Sequence, residues 1–171
     1  DGAKQATEGD ALERRICWDA ARLNIIEVLS FAVQHHTHRI KYYIMRHSVL
    51  QRVMRLVRHR DKNLALAAVR FLRQCLGVND MFYNRHIAKN DLLGGVMDLL
   101  ARHLHRNNLV NSAIIELVEH VRSTNNKEVI KYVVEKYRHV FERVEYVETF
   151  KGLITRYDQN EDMAKDSERS A

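Results

Sequence analysis

The chain has 171 residues, 46% of them apolar, and a formal net charge of +6. A chain of this length can bury one sizeable core as a single domain. It contains no signal-peptide pattern and no apolar run near the roughly 18 residues that a membrane span needs. Both cysteines, Cys17 and Cys75, lie within helical patterns, which favours a reducing compartment over a disulfide framework. With no proline, only 6 glycines and no convincing alternation of apolar and polar residues, the sequence predicts an all-α protein.

Helical periodicity extends along most of the chain. Residues 1–11 predict a flexible N-terminal segment, residues 12–157 a repeat domain, and residues 158–171 a polar, disordered tail. Within the domain, the sequence predicts one helix or two short ones over 12–35. Further helices are predicted over 37–46, 48–59, 62–76, 80–89, 91–105, 108–122 and 127–144. The last segment, 146–157, is expected to cap the stack.

Apolar spacing predicts which side of each helix faces the core. In the first helix, the expected inward residues are Ile16, Trp18, Leu23, Ile26, Val28, Leu29 and Val33. The stretch 61–91 has the clearest stripe, formed by Leu64, Ala65, Ala68, Val69, Leu72 and Leu76. Gly77 is expected to end that helix with a positive φ. The next helix is expected to offer Met81, Phe82, Ile87 and Ala88 to the core.

Internal repetition predicts the architecture. The run from Ser48 to Val57 matches the run from Asp91 to Leu100, 43 residues later, at nearly every apolar position, and both first residues are good N-caps. The apolar positions of 64–72 recur 45 residues later as Leu109, Ala113, Ile114 and Leu117, and Ile25 and Val28 resemble an earlier copy of Val69 and Leu72. Three-helix units at this spacing are typical of armadillo/HEAT-like helical-repeat solenoids.

Positive charge is concentrated in the central units. Residues 37–89 hold 12 Lys/Arg and only 2 Asp/Glu. Such a surplus is consistent with a solvated basic face, with an acidic or phosphorylated protein partner, or with nucleic acid. Because the aromatic residues fall mostly at core spacings, and not between the basic residues as single-stranded nucleic acid favours, a protein partner is the better interpretation.

The residue types that carry catalysis do not form a recognisable site. The clusters His35, His36, His38 and His103, His105 are not at ligand spacing to either cysteine, so no metal site is predicted. Cys75 lies on the inner stripe, where a thiol is normally inert. Gly94-Gly95 lies within a helical pattern and not between a strand and a helix, as a phosphate loop requires. We therefore expect no enzyme activity and no cofactor.

Several runs resemble the conserved central region of the SMEK/Falafel family, regulatory subunit 3 of protein phosphatase 4. They are FAVQHHTHRIKYYIMRH (31–47), LALAAVRFLR (64–73), FYNRHIAKND (82–91), NNLVNSAIIELVE (107–119) and YVETFKGL (146–153). The resemblance covers roughly 25–157 and implies an excised helical-repeat region without the family's EVH1-like domain and low-complexity tail. It also implies a non-catalytic protein of the nucleus and cytoplasm that partners the phosphatase 4 catalytic subunit and regulatory subunit 2 and directs them to substrates.

In such a stack, the third helices of successive units line one concave surface that can hold an extended partner. The candidate partner-binding residues there are Asn63, Arg70, Arg73, Gln74, Asn108, Asn111, Glu116 and Glu119, and a further candidate, Arg85, lies in a first helix. Asn111 has the alternative of a buried bond to a neighbouring loop, and Arg85 that of a structural turn clamp. The alternative function is nucleic-acid or chromatin binding through the basic central units.

Overall fold

A computed structural model describes residues 2–102, 108–144 and 147–169, with side chains for 9–102, 108–144 and 147–166. Those residues form nine α-helices and one 3₁₀ helix, and no strand occurs among them. The helices are α1 (Gly2–His35), α2 (Thr37–Arg46), α3 (Val49–Met54), the 3₁₀ helix (Arg55–Arg58), α4 (Lys62–Gly77), α5 (Met81–Lys89), α6 (Gly94–Arg102), α7 (Leu109–Ser123), α8 (Lys127–Phe141) and α9 (Glu148–Arg169). The all-α prediction is confirmed. No helix of the described residues is long and apolar enough to cross a membrane.

The helices stack as repeated units. Helices α1, α4, α7 and α9 pack side by side in one layer, which we call the third-helix layer. On the other side of the stack, α6 packs on the 3₁₀ helix, α5 packs on α8, and α8 also contacts α6. Thus α2–α4 form one three-helix unit and α5–α7 the next, while α8 takes the place of both a first and a second helix. The chain is therefore a helical-repeat solenoid, as the sequence predicts.

Helix starts recur at equivalent points of the units. Asp61, Asp80, Asn108 and Asn126 are side-chain N-caps, each accepting a hydrogen bond from a backbone N–H in the first turn. Ser48 takes the predicted N-cap position of α3 but makes no side-chain cap hydrogen bond, whereas Asp91 lies in the linker before α6. Both have left-handed backbone, with φ of 50° and 51°. No described glycine has a positive φ. The left-handed residue after α4 is Asn79, with φ of 51°, and not Gly77 as predicted. Asparagine tolerates that conformation because its short polar side chain adds little strain.

Most of the predicted core is buried, and the exceptions share a cause. Leu64, Ala68, Val69, Leu72 and Ile87 are at most 1% exposed. By contrast, Met81 and Phe82 are 58% and 61% exposed, because α5 turns Tyr83 and Ile87 inward instead. In the first helix Ile16, Trp18 and Val28 are also exposed, since only one side of α1 packs on α4.

Several helix ends differ from prediction. The 48–59 helix is divided into α3 and the 3₁₀ helix, and α1 already begins at Gly2. Helix α9 continues past Tyr157 to Arg169, because polar side chains fix it to α8. Asn160 Nδ2 donates to Asn125 Oδ1 at 3.0 Å, and Lys131 Nζ lies 3.2 Å from Glu161 Oε1. His103, His105 and Tyr146 lie outside the described residues.

Candidate protein-binding face

The third-helix layer has an open groove between α1 and α4, with a volume of about 490 Å³. Leu23, Leu66 and Ala67 form its apolar floor, and polar side chains from both helices form its walls. Asn63, Arg70 and Gln74, three of the predicted partner-binding residues, all line this groove. The α1 wall adds Glu27, Ser30, Phe31 and Gln34. An apolar floor with polar walls can take a peptide side chain while hydrogen bonding to its backbone.

The groove residues differ in how free they are to bind. Arg70 and Asn63 are exposed. Gln74 is half-buried, and its Oε1 accepts a hydrogen bond from Gln34 Nε2 at 2.7 Å, which ties α4 to α1. Arg70 is therefore the most accessible cation of the groove.

Arg73 joins two repeat units. Its Nη1 donates to Glu116 Oε1, in a charge-assisted hydrogen bond between α4 and α7. The side chains of Arg73 and Glu116 are 33% and 56% exposed. Both residues were predicted to bind a partner, but here they bind each other and join two repeat units. Arg70 is therefore the better binding candidate.

On α7 the predicted residues separate into capping, core and surface positions. Asn108 Oδ1 accepts from the Asn111 backbone N–H at 2.9 Å and so caps the helix. Asn111 itself is 3% exposed, so its side chain does not lie on the open face. Glu119 is bridged by Arg122, whose hydrogen bonds hold the pKa of Glu119 below its ordinary value. These two residues line a second groove of about 450 Å³ with Thr149, Lys151 and Gly152 of α9.

Arg85 does not join the third-helix layer. It is exposed on α5, with Nε 3.8 Å from Glu128 Oε1 of α8. The distance fits a weak ion pair between successive units, so Arg85 sits apart from the other predicted residues.

Part of the central positive charge is neutralised between units. Lys41 Nζ lies 2.7 Å from Asp80 Oδ2, and Arg58 Nη2 lies 2.6 Å from Asp98 Oδ2. Burial alone would raise the pKa of Asp80, but hydrogen bonds from Lys41 and backbone N–H groups outweigh it and lower that pKa. These pairs span 39 and 40 residues, about one repeat. A basic residue followed about one repeat later by an acidic residue is a sequence pattern that could have predicted these ion pairs. A count of charges does not detect it.

An exposed aromatic patch was missed by sequence reasoning. Tyr42 and Phe82 are 70% and 61% exposed, and Lys41 Nζ lies 5.7 Å and 4.8 Å from their ring centroids. Met81 is exposed beside Phe82. The helical period of 80–89 fits either Phe82 or Tyr83 inward, and only the packing of α5 on α8 decides between them. Exposed aromatic side chains next to a cation are typical of protein-binding surfaces.

Neither a reactive thiol at Cys75 nor a cluster of metal ligands is found among the described residues. Cys75 is fully buried, and this burial raises the pKa of its thiol far above its ordinary value. No cluster of three or more metal-ligating side chains occurs in the described parts of the chain. Asp91 accepts hydrogen bonds from the hydroxyls of Tyr132 and Tyr137 and forms an ion pair with Lys136. Together these contacts fix the α5–α6 turn on α8. That polar cluster is structural.

Comparison with known proteins identifies the family. Residues 5–159 match the family model for phosphatase 4 regulatory subunit 3. The chain is 39% identical over 145 residues to serine/threonine-protein phosphatase 4 regulatory subunit 3 of Drosophila melanogaster, covering 85% of this chain and 15% of that protein. It is 40% identical over 135 residues to protein PPP4R3C1 of Mus musculus, covering 79% of this chain and 17% of that protein.

The chain thus spans less than a fifth of the length of these curated relatives. No solved structure matches it. The family and the fly protein are named as regulatory subunits, which agrees with the expectation of a non-catalytic protein. The chain belongs to the phosphatase 4 regulatory subunit 3 family.

Proposed function

We propose that the chain is a protein-binding scaffold within a regulatory subunit of protein phosphatase 4, and that its third-helix layer holds an extended segment of a partner. The observation that carries this proposal is the α1–α4 groove, which combines an apolar floor with the accessible Arg70. The partners proposed are the phosphatase 4 catalytic subunit, regulatory subunit 2, and acidic or phosphorylated substrate segments. Binding there directs dephosphorylation without any reaction on this chain.

Charge favours a protein partner over nucleic acid. Lys41, Arg58 and Arg73 already have carboxylate partners from the next unit. The remaining central cations are divided among α2, α3, the 3₁₀ helix, the linker after it, α4 and α5. A nucleic-acid backbone instead needs a continuous basic stripe.

Binding to purified catalytic subunit and regulatory subunit 2, measured by biolayer interferometry, tests the proposal. Arg70→Glu reverses the groove cation without breaking a unit-to-unit bond, and we expect it to weaken binding by about tenfold or more. Arg55→Glu, the same change at an exposed residue of the 3₁₀ helix, is the matched control and should bind as the parent chain does. Equal binding by the parent chain and Arg70→Glu would show that these partners do not bind at the α1–α4 groove.

The alternative, nucleic-acid binding, gives a different result in a titration with double-stranded DNA. A DNA affinity that falls steeply with salt, together with no binding to either phosphatase subunit, would replace the proposal by that alternative.

A further inference from the structure

The exposed aromatic residues of α2 and α5 meet between two successive repeat units. Tyr42 of α2 is 70% exposed, and Met81 and Phe82 of α5 are 58% and 61% exposed. Lys41 Nζ lies 5.7 Å from the ring centroid of Tyr42 and 4.8 Å from that of Phe82, so the two rings share one cation. We call Tyr42, Met81 and Phe82 the aromatic patch. The patch shares no residue with the α1–α4 groove.

The position of both rings is fixed by hydrogen bonds beneath them. Lys41 is only 8% exposed, and its Nζ lies 2.7 Å from Asp80 Oδ2. Asp80 Oδ1 in turn accepts from the backbone N–H of Phe82 at 2.8 Å, which caps the start of α5. One buried lysine therefore links α2 to α5 and contacts both rings. A partner that binds there has little side-chain motion of this chain to arrest, which favours affinity.

Positive charge surrounds the patch. Four exposed cations lie three, four or seven residues from one of the two rings, on the same helix faces: Arg39 and Arg46 on α2, and Arg85 and Lys89 on α5. Helix α2 has three Lys/Arg, α5 has two, and neither helix has an acidic residue. Of the four exposed cations, only Arg85 has an ion-pair partner within the described part of the chain, the 3.8 Å contact with Glu128. The rim of the patch is thus positive and largely uncompensated.

This arrangement fits an acidic protein segment better than a nucleic acid. Aromatic anchors supply much of the binding energy of protein interfaces, and charges at the rim steer the partner and select its sign. Single-stranded nucleic acid would need open ring faces on which bases stack. Here the Lys41 ammonium already lies over both rings, and Met81 offers no ring for stacking. A flexible thioether instead suits contact with an apolar side chain.

We propose that the aromatic patch binds a short acidic segment of a protein other than the two phosphatase subunits. An apolar side chain of that segment rests on Tyr42, Met81 and Phe82, and carboxylates on both sides of it pair with the flanking cations. This surface is separate from the third-helix layer, so both can be occupied at once. The proposal therefore does not depend on phosphatase binding by that layer.

Fluorescence anisotropy with a synthetic peptide tests the ligand chemistry. The probe is a labelled peptide in which a Leu-Phe pair lies between two runs of glutamate, titrated at about 150 mM NaCl. We expect binding in the micromolar range. Replacing Leu-Phe by Ser-Ser, or every glutamate by glutamine, should each weaken it by about tenfold. Labelled oligothymidylate, which is also anionic, should bind more weakly than the acidic peptide.

Aromatic variants test the location. Tyr42→Ala/Phe82→Ala should weaken binding of the acidic peptide by about tenfold while circular dichroism stays unchanged, because both side chains are exposed. Tyr43→Ala is the matched control: Tyr43 is 53% exposed on the same helix but lines the groove between α1 and α3. Arg70→Glu, which changes the third-helix layer, should also bind the peptide as the parent chain does.

Charge variants test the rim. Arg46→Glu/Lys89→Glu should weaken peptide binding by about fivefold or more, whereas Arg55→Glu/Arg60→Glu, with the same net charge at exposed residues outside α2 and α5, should change it by less than about twofold. The proposal would be overturned by a parent chain that does not bind the acidic peptide, or by equal binding of either control peptide. Undiminished binding by the double alanine variant, or tighter binding of oligothymidylate, would overturn it as well.

Discussion

The first and last described helices differ in how far their large apolar side chains are buried. At the α1 end, Trp18, Ile25 and Val28 are exposed. At the α9 end, Phe150 and Leu153 are fully buried, and Phe150 lies 5.2 Å from the ring of Phe141 in α8. Polar side chains of α9, such as Asn160, then bond to the loop and helix of the preceding unit.

The difference shows that apolar spacing identifies a face and that the neighbouring helix decides its exposure. Helices α8 and α9 pack on each other and bury Phe141 and Phe150, whereas α1 packs on α4 and α2 and leaves other apolar side chains exposed. Ile25 and Val28, at apolar helical spacing, thus lie at the surface. The predictions below test that contrast.

The largest expected effect is loss of the aromatic contact at the closed end. Phe150→Ala removes a side chain with 0% exposure and should lower the free energy of unfolding by about 3–5 kcal/mol. Trp18→Ala at the open end should change it by less than about 0.5 kcal/mol, because that side chain is mostly in water. Urea unfolding of dilute chains, followed by circular dichroism, measures both. Equal effects would mean that the ends do not differ in this way.

Some features of the fold could be predicted from the sequence, and others depend on how the helices pack. The stripe of α4 and the presence of almost every helix follow from local pattern, since each is set by residues three to seven apart. The repeat spacing follows from the recurrence of that pattern 43 to 45 residues later. The exposure of Trp18 and Phe82 does not, because it depends on which helix packs beside them. Among the site residues, Arg70 and Asn63 could be placed on an open face from helical spacing, but the Arg73–Glu116 bond needs the distance between two units.

The next effect concerns how the α5–α6 turn is fixed against α8. A Cβ at Gly94 would lie 2.8 Å from Asp91 Oδ2 and 2.9 Å from the Tyr137 hydroxyl, whereas at Gly95 the nearest atom is 3.9 Å away. Gly94→Ala should therefore destabilise the chain by about 1–3 kcal/mol, since both groups are held in place: the Tyr137 hydroxyl donates to Asp91 Oδ1, and Asp91 Oδ2 is paired with Lys136. Gly95→Ala should stabilise it by about 0.5–1 kcal/mol through lower chain entropy. Thermal unfolding of the pair distinguishes them, and similar results would refute the crowding at Gly94.

Asp91 makes the same region sensitive to acid. Burial alone would raise its pKa, but hydrogen bonds from Lys136, Tyr132 and Tyr137 outweigh this and lower it below the ordinary 3.8. Asp91 therefore stabilises the fold above that ordinary value, and its contribution is lost as the pH falls below 3.8 through the folded-state pKa. Asp91→Asn should be less stable than the parent at neutral pH, with a difference that shrinks in acid. Urea melts across pH measure this, with the exposed Asp158→Asn as control. A difference that stays constant with pH would contradict it.

The smallest effect is expected at Phe82, which the sequence assigned to the core. Phe82→Ala should lower the free energy of unfolding by under about 1 kcal/mol, because the ring is 61% exposed and loses mainly its contact with the Lys41 ammonium. Leu72→Ala, at a position with 0% exposure, is the reference and should lose about 2–5 kcal/mol. A loss of that size at Phe82 would show that α5 turns the other face inward.

The most direct test of the third-helix layer as a binding face is a lysine crosslinking map with purified phosphatase 4 catalytic subunit and regulatory subunit 2. Lys62 begins α4 beside Asn63, and Lys151 lines the α7–α9 groove, whereas Lys89 and Lys136 lie on α5 and α8. The account predicts that crosslinks to the phosphatase subunits concentrate at Lys62 and Lys151. Crosslinks concentrated at Lys89 and Lys136 would contradict it.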